Sequence, residues 1–257
     1  MNKEKTRDLF YISLFIVVAT FVILFFELGY LLTAFIYIGI PSIYISFKRK
    51  AFLKKTLLFS LMLSIPVVFV LDYIMHVSNV WYEFSTIGIR VLNSFPVDTF
   101  IWAFLYTFFI ISFYEYFFDN DKMRNKFSRD IKYMIINLVT IVVVFLAVYF
   151  INKNLLVINH FYIIMIFVLF ITPCVFVLYK FPGLIKKVFL QGAYFFVLSF
   201  IYELVAVKLG HWTFPGRYYI GWIELFGLRF PVEELLWLVL AVPAFICIYE
   251  YYADDRK

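Results

Sequence analysis

FPVDTFIW at residues 95–102 returns as FPVEELLW at 230–237, and the reading of the whole chain works outward from that repetition. The same distance further on, Tyr114-Glu115-Tyr116-Phe117 returns as Tyr249-Glu250-Tyr251-Tyr252. Upstream, Pro41, Lys48, Lys54 and Lys55 are matched in spacing by Pro173, Lys180, Lys186 and Lys187. The chain reads as two copies of one unit in tandem. The copies differ at their acids: Asp98-Thr99 in the first stands where Glu233-Glu234 stands in the second. Acidic side chains inside apolar helices are costly, which makes them functional candidates by default.

Composition sets the compartment. Hydrophobic residues make up 65% of the chain and only 16% are charged, against roughly a quarter charged in a soluble domain. The expectation is a multi-pass protein of the cell membrane. The N-terminal stretch lacks the pattern of a cleavable signal, so the apolar run from Leu9 is expected to be the first span. The net charge of +6 comes from short basic clusters between apolar runs. That is topology information, and no nucleic-acid partner is expected. Cys174 and Cys247 lie inside apolar segments and read as small core hydrophobes.

Runs approaching the roughly 20 residues of a spanning helix occur at about 9–26, 30–47, 56–75, 97–118, 132–151, 159–179, 188–207 and 231–252. Only Glu27-Leu28-Gly29 separates the first two. With eight spans, the clusters Lys3/Lys5/Arg7, Lys48 to Lys55, Lys122 to Arg129, Lys180 to Lys187 and Arg256/Lys257 all fall on one side. Seven spans would scatter them. The positive-inside pattern then puts both termini in the cytoplasm. The expected fold is an all-α polytopic membrane helix bundle of about eight transmembrane helices. It forms two parallel four-helix repeats, 1–118 and 131–257, joined by a cytoplasmic linker at 119–130. Asp119 and Asp121 in that linker read as part of a solvated loop rather than a metal-diphosphate motif.

The two non-cytoplasmic connections, at about 76–95 and 208–229, resemble each other. His76 and Trp81 precede Ile87-Gly88; His211 and Trp212 precede Ile220-Gly221. Their Trp, Tyr and Gly content suits a re-entrant or interfacial loop capping the bundle. Pro231 suits the first position of the last helix, where its missing N–H costs nothing. Glu233 and Glu234 then fall in the first turn about 100° apart. One can face a central cavity while the other meets a neighbouring helix or loop. The helix N-terminus favours an ionised carboxylate and burial favours a neutral acid, the state in which an apolar site keeps a proton donor ready.

Asp72, Asp98, Glu203, Glu233 and Glu234, with His76 and His211, gather toward the same end. No H-x-x-x-H or E-x-x-H spacing occurs, so no metal is expected. Glu115 and Glu250 are expected to snorkel to the interface at the other end. The 35 Phe and 20 Tyr suit lipid-facing surface and packing, and equally a pocket whose ring faces stabilise positive charge. Trp102 and Trp237 stand in equivalent places, one turn below Asp98 and Glu233, as walls of such a pocket. No Walker loop, dinucleotide fingerprint, G-x-S-x-G or H-E-x-x-H is present.

This tandem pair of polytopic units resembles the lycopene cyclase domain family of integral-membrane carotenoid cyclases, whose string is hydrophobic-Pro-hydrophobic-Glu-Glu followed by an apolar helix. Residues 230–240, FPVEELLWLVL, match the family string in full. Residues 95–105, FPVDTFIWAFL, keep the Pro but carry Asp98 and Thr99 where Glu is expected, which implies that the second repeat carries the acid chemistry. The resemblance implies a lycopene β-cyclase, an isomerase that closes the linear ψ ends into β-ionone rings. A carboxylic acid protonates the terminal double bond, the neighbouring double bond attacks the cation, and a base removes a proton. Water must be excluded meanwhile. Glu233 or Glu234 is the implied acid, with Asp98 as base or hydrogen-bond partner. Pro231, Trp237, Trp102, Trp212, Glu203, Asp72 and His211 are the implied surroundings of the substrate. No net redox cofactor is required, and a reduced flavin in a non-redox role stays compatible. The implied partners are a lipophilic carotenoid entering sideways from the bilayer and other carotenoid-pathway enzymes.

Two other readings use the same residues. A carotenoid hydratase or another polyisoprenoid cyclase would start with the same protonation. A proton- or cation-coupled transporter would use embedded carboxylates as carriers. Against the transporter, the acids lie near one surface and no paired interrupted helices with inverted symmetry are evident.

Overall fold

A computed structural model describes residues 3–119 and 126–254. Lys122, Arg124 and Asp121 of the linker and Arg256 and Lys257 lie outside the described residues. Among the described residues, eight helices are long and apolar enough to cross a membrane. They are α1 (Lys3–Phe26), α2 (Tyr30–Lys48), α3 (Lys50–Val77), α4 (Asp98–Phe117), α5 (Ile131–Leu156), α6 (Phe161–Lys180), α7 (Pro182–Lys208) and α8 (Val232–Tyr252). The chain is an all-α polytopic bundle. The turn between α1 and α2 is real and tight. Glu27 takes a positive φ of 47° and Gly29 is extended, so the chain reverses within three residues.

The same irregularities recur in both halves. α2 widens into a π-helical stretch at Phe35–Gly39, and α6 does so at Ile166–Ile171. Each stretch lies just before a proline, Pro41 or Pro173. Proline donates no N–H, and its ring collides with the carbonyl four residues back, here that of Tyr37 or Leu169. A local widening to i→i+5 spacing relieves that collision without breaking the helix. Each of these helices then ends at a residue with ψ near 70°, Arg49 or Phe181, followed by a 3₁₀ turn into the next span.

α4 and α8 lie at the centre. Their residues are buried more completely than those of the peripheral α1 and α5, which present Phe10, Phe21, Phe25, Val143 and Phe150 outward. An outer surface this apolar suits lipid, because lipid tails are as apolar as these side chains. Cys174 and Cys247 are both free and buried.

The loops at 78–97 and 209–231 fold into short strands that cap one end of the bundle. β1 (Tyr82–Glu83) and β4 (Trp212–Thr213) pair antiparallel, one strand from each half. β2 (Arg90–Val91) pairs with β3 (Phe95–Pro96), and β5 (Trp222–Leu225) with β6 (Leu228–Pro231). Both hairpins reverse through two consecutive positive-φ residues. Phe226-Gly227 form the two-residue loop between the paired Leu225 and Leu228, as an I′ turn requires. Leu92-Asn93 instead begin a three-residue loop, in which the Ser94 N–H closes the turn onto the Val91 carbonyl before Phe95 pairs with Val91. The caps are thus hairpins, with no re-entrant helix.

Two expectations are corrected at the opposite end, which carries both termini. Glu115 and Glu250 do not snorkel: each is buried. The ends of α4 and α8 cross closely enough for the Tyr-Glu pair of each to meet the other. Tyr249 donates to Glu115 and Tyr114 donates to Glu250. Asp119 is not part of a solvated loop but buried, and its Oδ1 lies 3.9 Å from Lys187 Nζ.

Candidate functional site

α8 begins one residue later than the sequence suggests. Pro231 is the extended N-cap (φ −70°, ψ 154°) and pairs with Trp222 in the β5–β6 hairpin. It orients the first turn of the helix without reaching the cavity described below. In that turn the two glutamates diverge as their 100° spacing demands. Glu233 turns to the cap, where its Oε1 accepts the Ile220 N–H at 2.6 Å and its Oε2 is buried without a partner. Asp98 does the corresponding work in the first half. It accepts the N–H groups of Thr86 (2.7 Å) and Ile87 (3.2 Å) and the Ser85 hydroxyl (2.8 Å). Both carboxylates pin a loop to a helix start, where the helix dipole also favours them. Neither lines the cavity.

Glu234 does. It faces a central cavity of about 170 Å³, many times the 10–15 Å³ that one water needs on the same measure. Tyr162 on α6 donates its hydroxyl proton to Glu234. Glu203 on α7 and Asp72 on α3 line the same space. Glu203 accepts the Trp212 indole N–H at 2.9 Å. Trp81 lies beside Asp72, although its indole N–H finds no partner at hydrogen-bond geometry. Thr99, which occupies the place of Glu234 in the first half, lines the cavity with its Oγ1 buried and unpartnered.

Below these acids the walls are aromatic. Trp102 and Trp237 approach to 5.9 Å between ring centroids. Tyr106 stacks on both, at 5.2 Å from Trp102 and 5.4 Å from Trp237. Phe170 closes edge-on against Trp237 at 6.2 Å, and Trp212 against Trp102 at the same distance. Four of the five tryptophans line this one cavity: Trp81, Trp102, Trp212 and Trp237.

Of the residues the sequence singles out, the structure brings Glu234, Glu203, Asp72, Trp102, Trp212 and Trp237 together. Glu233, Asp98, Pro231 and His211 stand behind them. His211 is buried between the bundle and its cap, with Nε2–H donated to the Leu28 carbonyl at 2.9 Å and rings of Tyr30 and Trp212 beside it. It locks the α1–α2 turn to the cap. Sequence reasoning misses Tyr162, Glu83, Tyr106 and Tyr202, all of which line the cavity. For Tyr162 a signal exists, since it stands at the same spacing before Pro173 as Tyr30 does before Pro41. Glu83 gives none. It lies in a cap strand, where it bonds His76, and a carboxylate in a polar loop attracts no notice.

Burial holds the His211 imidazole below its ordinary pKa, and the Leu28 carbonyl offsets this only in part. Protonation therefore favours the unfolded chain, in which His titrates near 6.5. The stability linked to His211 is present above that pH and is lost as pH falls through and below it. His211→Gln keeps a donor for Leu28 and cannot titrate. Thermal unfolding of the detergent-solubilised protein between pH 7.5 and 5 is expected to show a shallower acid-side decline in the variant. Tyr219 also ties the cap together. Its hydroxyl donates to the Val80 carbonyl and accepts the Gly216 N–H, and burial pushes its pKa up to about 12.

At the end with the termini, carboxylates of Glu115, Asp119 and Asp254 approach one another within 4.8 Å. A cation already sits among them: Lys55 Nζ lies 2.7 Å from Asp254 and 3.2 Å from Glu115. This group is an internal ion-pair layer on the opposite side of the bundle from Glu234. Compared with known proteins, the chain matches no family model, no curated protein and no solved structure.

Proposed function

We propose that the cavity is the active site of a membrane cyclase acting on a linear carotenoid, closing a ψ end of lycopene into a β-ionone ring. The observation that carries this reading is one buried carboxyl, Glu234, held by Tyr162 at the head of an aromatic-walled cavity. In this reading Glu234 protonates the terminal double bond. The electron pair of the neighbouring double bond then closes the ring onto the resulting tertiary cation. Loss of one proton from the ring restores a double bond, so the product is an isomer of the substrate and no redox partner enters the balance. The faces of Trp102, Tyr106 and Trp237 stand where positive charge would develop, and ring faces attract a cation without being nucleophilic toward it. Asp72 and Glu203 are the carboxylates placed to accept the departing proton. Asp98 is engaged by the cap and is not assigned that part. The bilayer is the source of the substrate, and enzymes that make or consume cyclic carotenoids are the natural partners.

A hydratase is the second reading, and a specific observation favours it. Ser64 Oγ, Thr99 Oγ1 and the Tyr202 hydroxyl line the cavity without a partner at hydrogen-bond geometry, although Tyr30 lies beside Thr99 and Trp102 beside Tyr202. They could hold a water that traps the cation as a tertiary alcohol. Expression in cells that accumulate lycopene, followed by chromatography of the pigments, separates the two. The expected products are γ- and β-carotene; hydroxylated linear carotenoids would select the hydratase, and unchanged lycopene would remove both.

A further inference from the structure

The cavity has two seams through which a chain-like molecule could pass, related by the internal repetition, and they are built differently. The seam between α2 and α7 is bolted. Tyr37 donates to the Leu198 carbonyl at 3.1 Å and its ring meets Tyr202 at 5.2 Å. α1 lies across it, bonded to α7 through Ser13 and Tyr194 (3.0 Å) and to α2 through Asp8 and Tyr44 (2.8 Å). Tyr37, Leu198 and Tyr202 are all buried.

The corresponding seam lies between α3 and α6. Leu169 precedes Pro173 by four residues, as Tyr37 precedes Pro41. Val67 and Leu71 precede Asp72 by five and one, as Leu198 and Tyr202 precede Glu203. The two tyrosines of the bolted seam are thus replaced by leucines. Val67, Leu71 and Leu169 are each only half-buried, although they line the cavity. Among the described residues, no hydrogen bond or ring contact joins α3 to α6 within the spans. α5, the counterpart of α1, packs its Phe145 and Tyr149 on Phe69 and Tyr73 of α3, and no such contact ties it to α6. Tyr162, the partner of Glu234, stands on α6 on the same side of the cavity.

We propose that the α3–α6 seam is a lateral portal through which one end of a linear, apolar polyene passes from the bilayer to Glu234. The occupant follows from the walls. An opening with apolar rims inside the membrane-spanning layer excludes headgroups and ions, because a charge there is costly, and admits a narrow hydrocarbon. Continuity with a cavity whose carboxyls gather at its head, Glu234 on Tyr162 among them, calls for a chain presented end-on. A symmetric chain then has to withdraw and re-enter before its second end reacts. This inference rests on the reading of the cavity as a polyisoprenoid site.

The test uses the full chain in liposomes. Tryptophan emission is followed in stopped flow as lycopene is delivered, because four cavity tryptophans report occupancy by a conjugated polyene through energy transfer. The saturable part of the quenching is that displaced by excess squalene, which is linear and does not quench. Leu169→Tyr restores the bolt and Val67→Phe fills the seam. Forcing such bulk aside is expected to slow the saturable quenching roughly ten-fold or more. Phe189→Tyr, on the lipid-facing side of α7, is expected to leave it unchanged, and Glu234→Gln is expected to quench like wild type while forming product at least about a hundred-fold more slowly. Wild-type quenching rates in folded Leu169→Tyr and Val67→Phe, or no saturable quenching of the wild type, would overturn the portal. Slowed quenching in the seam variants together with full turnover by Glu234→Gln would leave the portal standing and remove the assignment of the acid.

Discussion

Glu234→Gln is expected to lower the proposed carotenoid cyclisation by about 10²–10⁴-fold, the range supplied by a positioned general acid, while the neighbouring Glu233→Gln keeps turnover within a few-fold of wild type. The argument rests on where the two carboxyls point. A glutamine at 234 still fills the space and can still accept the Tyr162 hydroxyl through its amide oxygen, so the cavity keeps its shape. What it cannot do is release a proton to a double bond. A glutamine at 233 retains an oxygen for the Ile220 N–H, and its amide nitrogen takes the place of an oxygen that has no partner. That substitution costs about 1 kcal/mol, the worth of an ordinary hydrogen bond altered but not abolished. Tyr162→Phe falls between them, since it leaves the acid in place but removes its anchor. Pigment conversion per unit of membrane-inserted protein checks all three. Equal losses at 233 and 234 would mean that the pair acts together, and normal conversion by Glu234→Gln would remove the glutamate from the chemistry.

The contrast between these two glutamates shows where a sequence stops informing. The eight spans are legible because a membrane fixes helix length, so apolar runs and the basic breaks between them are countable. The divergence of Glu233 and Glu234 is legible too, because helix periodicity alone imposes it. Which of them faces inward is not. α8 is apolar all round, and such a helix carries no stripe to say which side meets its neighbours. Tyr162 and Glu83 reach the cavity only because α6 and a cap strand return to it, which is a tertiary fact. Glu115 and Glu250 are the clearest failure. Tyr-Glu-Tyr at a helix end reads as an interfacial motif when taken singly, and only the crossing of α4 and α8 turns the two copies into reciprocal partners for Tyr114 and Tyr249.

That crossing yields the second large effect. Lys55→Met is expected to destabilise the bundle by about 3–5 kcal/mol, the cost of removing one partner from a buried ion pair. Lys55 is 1% exposed and binds Glu115 and Asp254, themselves buried, with its ammonium also 4.9 Å from the centre of the Tyr249 ring. Methionine matches the length of the stem, so little packing is lost; the damage comes from leaving two carboxylates close together without their cation. The loss is therefore expected to be largely reversed in the triple variant Lys55→Met, Glu115→Gln, Asp254→Asn, which removes the charges while keeping hydrogen-bonding groups for Tyr249. Replacing a whole buried ionic group by neutral residues is often close to neutral, whereas breaking it in half is not. Unfolding midpoints in detergent, measured for the wild type, the single variant and the triple variant, check this. A single variant as stable as the wild type would mean that water reaches this layer. A triple variant as weak as the single one would mean that the methionine itself packs badly. In either case the reciprocal Tyr-Glu bonds, rather than the ammonium, would be what holds the ends of α4 and α8 together.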